Sequence, residues 1–140
     1  MFRRKKQRVI GDWAALQDAL IGHFDATENG SHMEMWIVWK AEKRKQRVRA
    51  AYAPVKGLGP VLFVTAPIGT PSPQAVSFTL AQAAGLLSGG VCIDQEYGEL
   101  ALRLTLPFVG MPFDEIASAI RQLAASADEL SLKLARLAAQ

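Results

Sequence analysis

The chain has little of what a disulfide-bonded, secreted or membrane-spanning protein needs. Cys92 is the single cysteine among 140 residues, so no disulfide can form within the chain. No apolar run approaches the roughly 20 residues with which a helix crosses a bilayer. The basic start of the chain is also not followed by the apolar segment of a signal peptide. These absences predict a protein without a membrane span that resides in the reducing cytoplasm.

Residues suited to catalysis or metal binding are equally scarce. Cys92 has no histidine or cation near it in sequence that would activate its thiol. His23 and His32 lie apart from each other and from the cysteine, which excludes the usual spacings of a zinc site. The acidic turn at residues 94–99 does not fit a calcium loop and is polar because it faces water. We therefore predict a non-enzymatic protein with no catalytic residue, no metal and no cofactor.

The composition is that of one globular domain with an uneven charge distribution. Apolar residues make up 50% of the chain and charged residues 21%, and a domain of this length buries about two-thirds of its unfolded surface. We predict a basic flexible tail over residues 1–10 and a single domain over residues 11–140. The net charge is +3, and most of the basic residues lie in two segments. These segments contain Arg3, Arg4, Lys5, Lys6 and Arg8 in the tail, and Lys40, Lys43, Arg44, Lys45, Arg47 and Arg49 farther along.

In the first half, apolar periodicity predicts one helix and three strands. Asp12 can cap a helix whose apolar residues recur at steps of three and four up to Phe24, and the polar residues 27–30 end it. Residues 33–40 and 46–53 alternate as strands do and are joined by a charged turn. Residues 61–66 form a third, continuously apolar strand. We expect this first helix to cover a sheet.

The second half predicts helix, hairpin and helix with very short connections. Ser72 followed by Pro73 is a helix start, and the helix extends to residue 88 with Val76 and Leu80 in its buried stripe. Residues 90–107 form a hairpin in which leucines alternate with other residues. Residues 112–139 form a long helix with apolar steps of three and four. The predicted class is α+β, an antiparallel sheet with the element order α-β-β-β-α-β-β-α and with helices packed on it.

This element order, together with the pattern of residues 86–107, resembles the type III secretion chaperone-like fold, which includes the YbjN-like proteins. The pattern consists of a helix end at Leu86-Leu87, the strand 91–94, the acidic glycine-containing turn 96–99, the alternating leucines of 100–104 and the Leu106-Pro107 exit. The resemblance implies a small, non-enzymatic and often homodimeric protein. It also implies a client protein, because the secretion chaperones bind an extended segment of one along their surface.

Two features predict where a partner protein would bind. At 1.5 Å per residue the last helix spans about 40 Å, whereas a strand of eight residues spans about 27 Å, so the sheet leaves the end of the helix uncovered. Leu130, Leu134 and Leu137 lie on that end and would contact a partner or a second subunit. Trp36 and Trp39 fall on opposite faces of the first strand, so one of them is exposed and suited to anchor an interface.

The basic segments provide an alternative function. The tail residues Arg3 to Arg8 and the hairpin residues Lys43 to Arg49 could bind the phosphates of a nucleic acid and release its counterions. The same hairpin charges could instead only solubilise the chain and protect a strand edge. Our first hypothesis is a non-catalytic protein-binding module that acts as a homodimer. The alternative is a nucleic-acid-binding accessory protein.

Overall fold

The computed structural model describes residues 8–86 and 89–140, and its three helices lie against one sheet. The helices are α1 (Trp13–Phe24), α2 (Pro73–Gln82) and α3 (Phe113–Ala138). The strands are β1 (Thr27–Asn29), β2 (His32–Trp39), β3 (Arg44–Val55), β4 (Gly59–Gly69), β5 (Gly90–Asp94) and β6 (Glu99–Leu106). Four residues of the predicted basic tail, Arg3, Arg4, Lys5 and Lys6, lie outside the described residues.

The six strands form one antiparallel sheet in the order β1-β2-β3-β4-β6-β5. Met35 pairs with Val48 across β2 and β3, and Val64 pairs with Leu104 across β4 and β6. The predicted α+β class, with helices packed on an antiparallel sheet, is confirmed. The sequence missed the short strand β1, so the observed element order is α-β-β-β-β-α-β-β-α.

The hydrophobic core lies between the helices and one face of the sheet. The odd-numbered residues of β2, from Met33 to Ile37, are buried together with alternate residues of β3, β4 and β6. Ile116, Ile120 and Leu123 of α3 are completely buried against them. Burying such a side chain stabilises the fold by about 1.5–3 kcal/mol, so this layer is the main source of stability. The opposite face of the sheet has no described helix over it and is called the open face below.

The N-terminal boundary of the domain differs from the prediction. Ile10 is fully buried, and its backbone N–H donates to the carbonyl of Met111 at 2.9 Å. The carbonyl of Arg8 accepts a hydrogen bond from Phe113 N–H at 2.7 Å. The prediction of a flexible tail over residues 1–10 is therefore wrong for residues 8–10, which are fixed against the start of α3.

The prediction for α2 is correct at its start and wrong in its length and buried face. Ser72 caps the helix by accepting a hydrogen bond from Ala75 N–H at 3.0 Å, as expected. The α-helix ends at Gln82 and passes into a short 3₁₀ turn, Ala83–Gly85. Its buried residue is Thr79, whereas Leu80, which we placed in the buried stripe, is exposed. The predicted end of this helix, residues 87–88, lies outside the described residues.

The central strands of the sheet are longer than the sequence suggested. β3 has 12 residues and β4 has 11, which correspond to about 36–40 Å. The 26 residues of α3 extend about 39 Å. The central strands are therefore as long as α3, longer than the eight residues we assumed, but the buried residues of α3 end at Leu130, and none of residues 131–138 is buried.

Candidate protein-binding face

The open face carries an apolar strip on β2. Trp36 is 49% exposed and Val38 is 55% exposed, while the intervening Ile37 points into the core. Trp39 is half-buried and packs against the core. The structure confirms that one of the two tryptophans is exposed, and it identifies that residue as Trp36.

The surroundings of Trp36 are cationic. Arg47 lies opposite Trp36 on the neighbouring strand β3. The Nζ of Lys45 lies 4.5 Å from the centre of the Trp36 ring. A cation over an indole face is attracted to it electrostatically, which holds the lysine stem beside the ring. Trp36 and Val38 therefore form a narrow apolar strip with the Lys45 ammonium beside it.

Toward β5 and β6 the open face carries an ion network instead. The Arg49 side chain is only 5% exposed, and one of its terminal nitrogens lies 3.1 Å from the carboxylate of Asp94. Its other terminal nitrogen lies 3.7 Å from Glu99, and Arg47 donates to Glu99 at 3.1 Å. The acidic turn between β5 and β6 thus neutralises two arginines of β3. We predicted that this turn faces water, and the structure gives two of its carboxylates a structural role.

Tyr97 covers this network from the same turn. The Arg49 guanidinium lies 3.9 Å from the centre of the Tyr97 ring, and the Tyr97 hydroxyl lies 3.3 Å from Nε2 of His32. Desolvation, followed by the charge of Glu96, raises the pKa of Tyr97 above its usual value. The hydroxyl therefore stays protonated at neutral pH. These contacts fix the turn over β2 and β3.

Glu34 stands between the ion network and the apolar strip. Its carboxylate lies 3.4 Å from Nε2 of His32. Burial raises the pKa of Glu34, but hydrogen bonding to His32 and the nearby positive charge of Arg47 outweigh it, so the pKa lies below its usual value. Glu34 is therefore negatively charged at neutral pH.

The six basic residues of the β2–β3 hairpin fall into two groups. Arg44 is ion-paired with Asp128 of α3 at 2.5 Å, and Arg47 and Arg49 belong to the network of the open face. The other three, Lys40, Lys43 and Lys45, are exposed and form no ion pair with a described residue. Arg8 is exposed at the start of the described chain. Of the hairpin residues predicted to bind nucleic acid, Lys43 and Lys45 are thus exposed without an ion pair to a described residue, and Lys40 lies beside them, whereas the three arginines are ion-paired within the fold.

The three leucines predicted at the end of α3 lie in different environments. Leu130 is 4% exposed and belongs to the core, so its side chain offers no surface to a partner. Leu134 and Leu137 are half-buried and line a groove of about 330 Å³ between α3, α2 and the end of β4. Ile68 lies at the bottom of this groove and is buried. The structure thus brings two of the three leucines together.

The described residues offer little for catalysis. Among residues 8–86 and 89–140, no group of three or more His, Cys, Asp or Glu side chains could hold a metal ion. Cys92 is half-buried, and burial raises the pKa of its thiol, an effect that Arg103 only partly offsets. The thiol is therefore protonated and a poor nucleophile at neutral pH. In the same part of the chain, no helix is both long and apolar enough to span a membrane.

Comparisons of the chain with protein-family models, with curated proteins and with solved structures found no match. The resemblance to the type III secretion chaperone-like proteins stays a prediction.

Proposed function

We propose that this chain is a non-catalytic, cytoplasmic protein-binding module that acts as a homodimer and binds a partner protein through the apolar strip of its open face. The observation that supports this most is the exposure of Trp36 and Val38 side by side on a sheet face with no described helix over it. This function is similar to that of the secretion chaperones and YbjN-like proteins, as the element order suggested.

The strip has the character of an interface centre. Tryptophan is over-represented among residues that dominate binding energy, because a large rigid ring loses little conformational entropy when it is covered. Val38 extends the apolar surface on one side, and Lys45 and Arg47 supply a polar rim on the other. The arginines of the ion network beside it are ion-paired within the chain, although Arg47 Nε and Arg49 Nη1 are buried without a hydrogen-bond partner. The strip is the apolar part of the open face that lies exposed on β2.

Affinity capture from a lysate of the source organism tests this function. The tagged chain should retain a specific protein that the Trp36→Ala variant loses by about thirtyfold or more, since truncating a central tryptophan costs on the order of 2 kcal/mol. Leu80→Ala is the matched control, because Leu80 is an equally exposed apolar residue on α2. If the wild type, Trp36→Ala and Leu80→Ala captured the same proteins in the same amounts, the proposal would be contradicted.

A second candidate function is weak nucleic-acid binding by the hairpin. Its support is the exposure of Lys40, Lys43 and Lys45, which form no ion pair with a described residue. A gel-shift assay over a salt series tests it, since counterion release makes such binding strongest at low salt. Changing the three lysines to glutamine should abolish any shift, and an unchanged shift would exclude this surface.

A further inference from the structure

A small polar cavity lies under the β5–β6 turn on the open face. Its volume is about 100 Å³, and Arg49, Thr65 and Arg103 line it. Thr65 pairs with Arg49 across β3 and β4 and with Arg103 across β4 and β6, so the three side chains form one row on the open face. The Tyr97 ring covers the Arg49 end of this row. A cavity of this size has room for a few water molecules or one small ion.

The row contains buried hydrogen-bond donors without an acceptor. The Arg49 side chain is 5% exposed, and its Nη1 has no hydrogen-bond partner among the described residues. The Glu99 oxygen at 3.7 Å from Nη1 is too far away to accept its hydrogen. Thr65 is also buried, and its oxygen accepts from Arg103 Nε at 3.3 Å, so its hydroxyl proton is available to another acceptor. Buried donors without an acceptor are costly, and an ion or a water that they bind explains them.

Arg103 is held in a position that suits an anion. Its Nε donates to Thr65, and its guanidinium carbon lies 5.0 Å from the centre of the Phe63 ring. These contacts hold one edge and one face of the guanidinium group. Its two terminal nitrogens form no hydrogen bond or ion pair with a described residue. An arginine arranged in this way can donate two parallel hydrogen bonds to a carboxylate or phosphate group.

Two carboxylates also line the cavity and act against an anion to different degrees. The oxygens of Asp94 are both engaged, one by Arg49 Nη2 at 3.1 Å and the other by the backbone N–H of Glu96 at 3.1 Å. Glu96 is exposed and forms no ion pair with a described residue. Its charge is screened by water and salt, which weakens its repulsion of an anion. Arg103 is therefore the cation that remains for a ligand, and Glu96 limits the affinity.

We infer that this cavity binds a small oxyanion, a carboxylate or phosphate group that lies between Arg49 and Arg103 and accepts a hydrogen bond from the hydroxyl of Thr65. The site goes beyond the proposed protein-binding function and does not depend on it, because Trp36 and Val38 do not line the cavity. Since the cavity is small and Glu96 opposes the ligand, a free anion should bind with a dissociation constant on the order of 1 mM.

Titration of the ¹⁵N-labelled chain with sodium phosphate or sodium acetate, followed by nuclear magnetic resonance, tests the site. The Thr65 amide and the side-chain Nε–H signals of Arg49 and Arg103 should shift and saturate, whereas sodium chloride at matched ionic strength should not reproduce the effect. Arg103→Gln should raise the dissociation constant at least about tenfold. Arg136→Gln is the matched control, because Arg136 is an exposed arginine on α3, across the sheet from the cavity, and it should stay within about twofold of wild type.

Two further variants separate a built site from general attraction to positive charge. Thr65→Val keeps the shape and the charge but removes the hydroxyl, and it should raise the dissociation constant about fivefold. Glu96→Gln removes the opposing charge and should lower it about threefold. Circular dichroism and thermal unfolding check that each variant is folded, and Arg103 and Glu96 are exposed, so their variants remain informative if Thr65→Val does not fold.

Three results would overturn the inference. Shifts that do not saturate, or that sodium chloride reproduces, would mean that water and screening ions alone occupy the cavity. Equal binding by Arg103→Gln and Arg136→Gln would place the anion elsewhere. Weaker binding by Glu96→Gln would assign the cavity to a cation.

The oxyanion group belongs either to a free small molecule or to an acidic side chain of a protein, and a third probe distinguishes the two sources. The tripeptide Gly-Glu-Gly, blocked at both ends, presents one carboxylate in a protein backbone. Binding of this tripeptide about tenfold tighter than acetate would assign the site to an acidic protein segment. Binding of phosphate or acetate at least as tight as that of the tripeptide would assign it to a free anion. Either result supports an oxyanion site.

Discussion

The helix-covered face and the open face use alternate residues of the same strands and differ in chemistry. On the covered face, Met35 and Val48 are buried in an apolar layer. On the open face, their sequence neighbours Trp36 and Arg47 are exposed or ion-paired. Stability follows mainly from the apolar area removed from water, so the covered face determines whether the chain folds. The exposed part of the open face, at Trp36 and Val38, can vary in sequence at little cost to folding, which makes it available for binding.

The open face is itself divided in two. The part under the β5–β6 turn is closed by contacts within the chain, such as the Arg49–Asp94 pair and the stacking of Tyr97 on Arg49. The strip of Trp36 and Val38 lacks such cover. Buried side chains that are ion-paired within the chain offer little surface to a new contact, whereas an exposed apolar strip gains from being covered. Binding of a partner protein is therefore expected at the strip.

The largest expected effect separates the two faces by stability. Ile120→Ala should lower the free energy of unfolding by about 2–5 kcal/mol, because Ile120 is fully buried and leaves a cavity. Val38→Ala on the open face should change it by at most about 0.5 kcal/mol. Urea denaturation of the two variants and the wild type, below the concentration at which dimers form, measures both. Similar losses for the two variants would remove the distinction between the faces.

An intermediate effect is expected within the ion network. Arg49→Met should lower the free energy of unfolding by about 2 kcal/mol, because Asp94 loses its charged partner in a half-buried place. Adding Asp94→Asn to the same chain should recover about 1 kcal/mol, since it removes the unpaired charge. Urea denaturation of both single variants and the double variant measures this coupling. If the two losses were strictly additive, Arg49 and Asp94 would contribute to stability independently of each other.

The sequence predicted the covered face well because burial there repeats with the period of each element. Alternation along β2 and β6 and the steps of three and four in α3 all report one buried side. β1 was missed because its three residues, Thr, Glu and Asn, are all exposed and show no apolar pattern. The long strands β3 and β4 were shortened in the prediction because polar residues and glycine occupy their ends. β1 and the ends of β3 and β4 are held in the sheet by backbone pairing, and their side chains show no alternating apolar pattern that would predict it.

The open face was harder to predict because its contacts join residues far apart in the chain. Arg49 and Asp94 are 45 positions apart, and Arg47 and Glu99 are 52 apart. Arginine at alternate positions of a strand is also typical of a solvated face, so the pattern did not distinguish free charges from paired ones. The exposure of one tryptophan was predictable, since alternation alone places Trp36 and Trp39 on opposite faces.

The smallest expected effect concerns pH and the junction between the two parts of the open face. Burial raises the pKa of Glu34, but hydrogen bonding to His32 and the charge of Arg47 lower it by more than burial raises it. The pKa in the folded chain therefore lies below the ordinary 4.5. A carboxyl with a depressed pKa stabilises the fold above its unfolded pKa, and this stabilisation is lost as the pH falls through the folded value. Wild type should therefore be more stable than Glu34→Gln at about pH 7, and the gap should close toward about pH 3. Urea denaturation at low protein concentration across this range measures the gap. If the difference in the free energy of unfolding stayed the same at every pH, the negative charge of Glu34 would not contribute to the stability of the monomer.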